Sequence, residues 1–450
     1  MRKLSGMFKS IYTVLGYQQY SSRKSYVQLP YLIDLDVDEG KLLLNVMTRE
    51  LFLLSKKEWE AWKSGEPEES MRRDMVRHWF MIPKELDAKS LWYSVSQCHM
   101  ERFGEKNTGK IEFFTIFTTT ECNAACPYCY EQGCQKRSMH KAVAADVAAW
   151  ICAHGNPDKT HLKWFGGEPL CNSKVIDIIC QELKDRVIQY ESSMVSNGLL
   201  INEHDADKLL NLWKLNRVQI TLDGTREHYN KVKNFKCVGN PYEQVMDNIK
   251  YLLSLGIRVD VRLNISTENT DDLMVLVSEL RERFSDCRDN LMVYSHPLFW
   301  GTEGAASGHE HVRLYDQYIT LQDHISECGI GSKRGFPRVR HSHCMADDGK
   351  SAVVLPGGEL SLCEHHCDDE FYGTIYSDDY DKDVIQSWKE PADEIPECVD
   401  CFYYPVCTRI MKCPGKGACN EDQRRYEKHK LQLAMLEIYK KRIGKENVHV

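Results

Sequence analysis

Cys122, Cys126 and Cys129 stand at C-x3-C-x2-C spacing in TTTECNAACPYCY, directly after the apolar run IEFFTIFTTT. Three thiolates on one short loop can hold three irons of a cubic [4Fe–4S] cluster, leaving the fourth iron open to a small molecule. A zinc site is the other chemistry such a triad allows. A second concentration of eight cysteines runs from Cys344 to Cys419. There Cys344, Gly358 and Cys363 follow C-x13-G-x4-C, Cys398, Cys401 and Cys407 follow C-x2-C-x5-C, and Cys413 and Cys419 come after. The remaining eight, at positions 98, 134, 152, 171, 180, 237, 287 and 328, are scattered and read as small core residues.

The chain that must carry these residues has 450 positions, enough for two to four domains. Its composition, 42% hydrophobic and 28% charged, is that of a soluble globular protein, and the net charge of −8 gives no reason to expect nucleic acid or an anionic membrane as partner. Apolar runs fall well short of a membrane helix. The opening MRKLSGMFKSIYTVLG is basic but lacks the apolar core of an export signal, so a cytoplasmic location is expected. Nineteen cysteines would suit a secreted disulfide scaffold only if the chain were small, and in a cytosolic chain clustered cysteines favour metal.

Residues 1–105 form the first expected domain, an α+β module. Ile33, Leu35 and Val37 alternate with Asp34 and Asp36 ahead of the turn Asp38-Glu39-Gly40, as in a half-buried strand, and KKEWEAWKSG reads as a short helix. An exposed sheet edge there would suit an extended peptide, by strand addition. Residues 106–335 alternate strand and helix. The strand candidates are Ile111–Thr118, His161–Phe165, Met194–Ser196, Arg217–Leu222, Arg258–Ile265 and Asn290–His296, with helical patterns such as KAVAADVAAWICAHG and PYEQVMDNIKYLLSLG between them. Six β–α units imply a parallel sheet, expected as a partial (β/α)6 barrel, with an open doubly wound sheet as the alternative. The unusual residues all fall at strand carboxyl ends, where sites gather in such folds. The cysteine loop follows the first strand, Gly166-Gly167-Glu168-Pro169 the second, Ser196-Asn197-Gly198 the third and Asp223-Gly224 the fourth.

CNAACPYC, GGEP, SNG and LDG, in this order and strand context, resemble the radical S-adenosylmethionine (radical SAM) superfamily over residues 111–330. The resemblance implies that the open iron chelates S-adenosylmethionine, whose reductive cleavage gives a 5′-deoxyadenosyl radical. It implies cofactor contacts from Tyr128, Gly166, Gly167, Glu168, Pro169, Ser196 and Asn197. Relatives carry an arginine after LDG that can hold the cofactor carboxylate; here the stretch is Glu227-His228-Tyr229-Asn230-Lys231-Val232-Lys233, so Arg262, Lys231 or Lys233 must take that role, and Arg262 is the residue expected. Asp223 reads as a turn cap rather than a catalytic residue.

The C-terminal array, expected over 336–425 and followed by a helix at 426–450, allows two zinc sites on spacing alone. It also resembles the SPASM domain, which holds two auxiliary [4Fe–4S] clusters. Carried over, Cys398, Cys401, Cys407 and Cys419 bind one cluster and Cys344, Cys363 and Cys413 the other, with Cys367 as candidate fourth ligand. Three [4Fe–4S] clusters are thus expected, one of them SAM-binding. SAVVLPGGELSLC between these cysteines reads as a hairpin. The whole resembles ribosomal-peptide maturases of the sactipeptide and ranthipeptide type. That implies a precursor peptide with a leader sequence as partner and a flavodoxin- or ferredoxin-type electron donor. It also implies cross-linking by hydrogen abstraction, with a cysteine thioether as leading product and a carbon–carbon link next. Formylglycine formation in a sulfatase, and a non-catalytic iron–sulfur carrier or peptide scaffold, are the alternatives.

Overall fold

The computed structural model describes residues 1–4, 9–103, 109–236, 239–298, 308–331, 336–337, 344–365, 371–390, 396–408 and 419–446. Two compact units emerge: Met1–Lys106 with Lys333–His343 and Pro391–Val450, and Asn107–Ser332 with Cys344–Glu390. The stretch 336–425 is therefore divided between them.

In the second unit six strands follow one another, β1 (Phe113–Thr119), β2 (Thr160–Gly166), β3 (Tyr190–Ser196), β4 (Leu215–Leu222), β5 (Arg258–Ile265) and β6 (Leu291–Pro297). Each pairs in parallel with the next, so sequence order is also spatial order. A doubly wound sheet would reverse direction at its first strand. Here right-handed crossovers taken always the same way put every helix on one face, and the sheet curls into a partial (β/α)6 barrel. The helices between and after these strands are α1 (Lys141–His154), α2 (Ser173–Asp185), α3 (Arg226–Lys233), α4 (Pro241–Ser254), α5 (Thr270–Arg283) and α6 (Gly308–Glu327), and a short helix, Lys382–Ser387, comes later in the same unit.

Alternation along the strands separates two faces. Phe114, Ile116, Leu162, Trp164, Met194, Val218, Ile220, Val259, Val261 and Leu263 are all buried. On the opposite face His161, Lys163, Ser193, Gln219, Arg262 and Tyr294 are polar and half-buried and line the barrel interior, beside an apolar patch of Phe117, Phe165 and Val195. This explains why β3 begins at Tyr190, four residues before the apolar Met194 that marks it in the sequence: Ser193 is half-buried on the polar face and Glu191 is exposed, so neither position is apolar. Beyond β1 the sheet continues through β7 (Ser351–Val354), parallel to β1, and then β8 (Glu359–Ser361) and β9 (Phe371–Thr374), both antiparallel.

The first unit holds an antiparallel sheet in the order Arg2–Lys3, Glu50–Leu54, Gly40–Asn45, Leu32–Val37. Helix Lys56–Lys63 starts at Ser55, whose hydroxyl and Glu58 form a reciprocal capping box. The C-terminal helix Glu421–Glu446 lays Leu431, Ala434, Met435 and Tyr439 against Ile33, Leu42 and Leu44. Gln432 donates to the Asp34 carbonyl on the outer strand. Among the described residues no helix is long and apolar enough to cross a membrane.

Candidate active site

The loop after β1 is fixed from several sides. Backbone bonds run from Gly167 N to Thr119 O (3.1 Å) and from Glu168 N to Glu121 O (2.9 Å), pressing the GGEP turn onto the cysteine loop. A Cβ at Gly166, whose φ is +123°, would lie 2.0 Å from Thr119 O, and one at Gly167 would lie 2.4 Å from Glu121 O. These glycines are thus required by approach to the loop backbone itself. Pro169 is buried, and its carbonyl accepts the Thr118 hydroxyl.

Glu168 is fully buried and bridges two strand ends. Its carboxylate accepts from Ser196 Oγ (2.9 Å), Leu170 N (3.2 Å) and Asn197 N (2.8 Å). Burial pushes its pKa up to about 7, against those hydrogen bonds, which lower it. All of its mapped partners are backbone amides and Ser196, so in this structure it orients the ends of β2 and β3. Asn197 reaches back: its Nδ2 donates to Asn123 Oδ1 at 2.6 Å and lies 3.9 Å from Cys122 Sγ.

Tyr128, Asp223 and Lys233 form a buried group beneath the loop. Tyr128 donates to Asp223 Oδ1 at 2.6 Å, and Lys233 Nζ lies 3.1 Å from both Tyr128 Oη and Asp223 Oδ2. Burial is the largest single influence and works to strip the lysine proton, but Asp223 together with Tyr128, Cys126 and Tyr229 outweighs it and holds the amine well above its ordinary pKa. Burial likewise raises the Tyr128 phenol. Asn264 Nδ2 donates to Asp223 Oδ1 and Asn269 Nδ2 to the Asp223 carbonyl, so a residue expected to cap a turn is instead a buried anchor between β4, β5 and the loop.

Of the three candidates for an anionic cofactor group, Lys233 is committed to Asp223 and Lys231 is exposed. Arg262 lies in the barrel interior, donating from Nε to Asn264 Oδ1 at 3.1 Å, with no carboxylate partner among the described residues. On β6, His296 is exposed and its Nδ1 lies 2.9 Å from the Pro297 carbonyl. Tyr294 donates to Gln219 at 2.8 Å, and Lys163 pairs with Glu364, the residue after Cys363. No sequence signal marks these interior residues beyond their place on alternating strand positions.

Cys122, Cys126 and Cys129 form no disulfide. Burial pushes the Cys122 thiol up to about 11 and also raises Cys129, each with Cys126 as a further neighbour. Among the described residues no three His, Cys, Asp or Glu side chains are gathered to hold a single metal ion; a cubic cluster spreads its thiolates over separate corners. Beside Cys122 the buried Nδ2 of Asn123 has no acceptor among the described residues. Three thiols on one loop and an orphaned amide donor beside them fit a cluster and a polar cofactor group. Asn123 was not singled out from the sequence; only its unmatched donor distinguishes it. Cys344 and Cys363 flank the hairpin that extends the barrel sheet, whereas Cys398, Cys401, Cys407 and Cys419 belong to the first unit. There burial raises the Cys401 thiol, with Cys419 and Cys398 nearby adding to it. Cys367 and Cys413 lie outside the described residues.

Residues 116–280 match the radical SAM superfamily. The chain is 28% identical over 190 residues to a probable GTP 3′,8-cyclase of Methanocaldococcus jannaschii, covering 42% of this chain and 58% of that protein, so it spans about three fifths of that relative's length. Among solved structures, native anSMEcpe with bound AdoMet and Cp18Cys peptide aligns with a TM-score of 0.52 at 15% identity, covering 73% of this chain and 98% of the other. Streptococcus suis SuiB bound to the precursor peptide SuiA aligns with a TM-score of 0.50 at 11% identity, covering 85% and 95%. These likenesses share a fold.

Proposed function

Since residues 116–280 form a radical SAM domain, with the S-adenosylmethionine and [4Fe–4S] cluster that such a domain implies, we propose that the chain is a peptide maturase that installs a cysteine thioether in a ribosomally made precursor. When bound, the reduced cluster and S-adenosylmethionine would supply a 5′-deoxyadenosyl radical as acceptor of one hydrogen atom, and closing the sulfur–carbon bond would release the thiol proton to solvent and one electron to an oxidised auxiliary cluster. Cys122, Cys126 and Cys129 would hold the first cluster. Asn123 and Asn197 offer amide donors beside it, and Arg262 offers an interior cation for the cofactor carboxylate. The half-buried interior lined by Lys163, Gln219, Arg262 and Tyr294 holds the reacting segment away from bulk water.

The observation that carries this reading is the continuity of the sheet. β7 pairs with β1, the strand that leads into the cysteine loop, in the register Ser351↔Phe113 to Val354↔Ile116. Cys344 and Cys363, at the two ends of that hairpin, thereby belong to the same folded body as the radical site. An auxiliary cluster there suits a reaction that must remove one electron more than hydrogen abstraction does. The two peptide-bound neighbours share the fold. Residues 1–105 would bind the leader, a flavodoxin- or ferredoxin-type protein would reduce the cluster, and Cys398, Cys401, Cys407 and Cys419 would hold the second auxiliary cluster.

Coexpression with a Cys-containing peptide encoded beside the gene tests this. The product should lose two hydrogens and leave one cysteine unreactive to alkylation. Loss of two hydrogens with every cysteine still reactive points to a carbon–carbon link or to formylglycine made from a serine; no change of mass refutes the maturase reading. A nucleotide substrate is the second reading, favoured by the 28% identity to a probable GTP 3′,8-cyclase. Incubation of reduced protein with GTP decides it; we expect no cyclised nucleotide.

A further inference from the structure

We propose that Lys233 is a positioning residue for the radical-generating cluster: it clamps the loop around Cys126, and its buried positive charge makes that cluster easier to reduce. The inference rests on Cys122, Cys126 and Cys129 being the cluster ligands.

Lys233 is the last residue of α3 and is 4% exposed. It touches the cysteine loop on both sides of Cys126. Its carbonyl accepts from Ala125 N at 3.0 Å and lies 4.0 Å from Cys126 Sγ. Its ammonium, 3.1 Å from Tyr128 Oη, reaches the residue that precedes Cys129. Asn234 then adopts the left-handed conformation, φ 46°, which ends the helix and turns the chain back. That turn brings Lys236 N to Asn123 O at 3.0 Å. The end of α3 is thus bonded to the loop at Asn123, Ala125 and Tyr128.

Shape alone does not call for a charge. Burying an ammonium carries a large desolvation cost before pairing, and well-packed apolar side chains often serve a fold as well as or better than a buried ion pair. A charge at this place has a direct electrostatic consequence. A cluster held by three thiolates becomes more negative when it takes up an electron, and a cation held in low-dielectric surroundings favours that state. Asp223, on the other side of the same ion pair, carries the opposite charge and opposes the effect. Removing the two charges one at a time should therefore move the reduction potential in opposite directions, which a purely structural role does not predict.

The test is a redox titration followed by electron paramagnetic resonance on the reconstituted full-length protein without peptide. The first cluster is identified as the signal that changes on adding S-adenosylmethionine. Lys233→Met should shift its midpoint to more negative potential, by about 59 mV for a tenfold fall in the reduced-to-oxidised ratio. Asp223→Asn should shift it the other way, and Lys233→Arg should restore the wild-type value. A Lys233→Met midpoint that does not move overturns the proposal, even if iron content falls. If Lys233→Met does not fold or load, Asp223→Asn decides: a less negative midpoint supports the proposal and an unchanged one overturns it. A wild-type protein with no signal responsive to S-adenosylmethionine would instead refute the ligand assignment on which the proposal rests.

Discussion

The two well-described cysteine regions are held by different forces. Around Cys122, Cys126 and Cys129 the contacts are polar and directional: backbone amides of Gly167 and Glu168, the Asn197 side chain, and the Lys233–Asp223–Tyr128 group. One buried donor there, Asn123 Nδ2, is left without an acceptor among the described residues. Cys398 and Cys401 instead pack into an apolar cluster with Leu29, Tyr31, Trp92 and Tyr404, in which the Tyr31 and Tyr404 rings stack 6.2 Å apart. A loop held by hydrogen bonds to strand ends keeps its shape while leaving room for an exchangeable ligand. The second pair is half-buried against a hydrophobic cluster, so a group bound there would stabilise the fold. On the proposed reading the first region serves turnover and the second permanence.

That contrast can be broken in graded ways. The largest effect is expected at the first region: Cys126→Ala should abolish 5′-deoxyadenosine release while leaving the circular dichroism spectrum unchanged. Retained turnover would remove the functional half of the contrast. At the second region Tyr404→Ala should cost about 3–5 kcal/mol in urea unfolding, the usual penalty for emptying a buried aromatic site, yet spare cofactor cleavage by the folded fraction. Loss of cleavage without loss of stability would invert the assignment.

Next in size is a pH effect at Glu168. Its folded pKa of about 7 lies above the ordinary 4.5 because of burial. Between those values the folded protein keeps a proton that the unfolded chain has released. The contribution is complete below pH 4.5 and is lost as pH rises through 7, on the order of 3 kcal/mol in all. Denaturant unfolding of apoprotein from pH 4.5 to 8 should show this loss in the wild type and not in Glu168→Gln; parallel profiles would mean that the carboxyl is already ionised at pH 5. The smallest effect belongs to Tyr128→Phe, which removes the phenol's hydrogen bonds to Asp223 and Lys233 and should cost about 1.5–3 kcal/mol. A cost near zero would show that the buried group does not brace the loop.

Much of the barrel was legible because its functional residues sit in turns after apolar runs, and turn residues are chemically conspicuous. GGEP, SNG and LDG stand out for that reason. What they do was less legible. Gly166 and Gly167 were expected to admit a ligand, and they first admit the backbone of the cysteine loop. Asp223 was expected to cap a turn, yet it pairs with a lysine ten residues on, because α3 folds back beneath the loop. In KVKNFK nothing local tells the buried Lys233 from the exposed Lys231 and Lys236. Interior pairs such as Tyr294–Gln219 join separate strands and depend on register. The cysteines after residue 343 are contiguous in sequence but divided between units, because the β7–β8 hairpin extends the barrel sheet while the chain beyond Glu390 packs with the N-terminal module.

The most direct test of the central claim is 5′-deoxyadenosine release by the anaerobically reconstituted, reduced protein supplied with S-adenosylmethionine. The account predicts release that is faster with the precursor peptide and accompanied by loss of two hydrogens from that peptide. A protein that carries its clusters but releases none, with or without peptide, would contradict it.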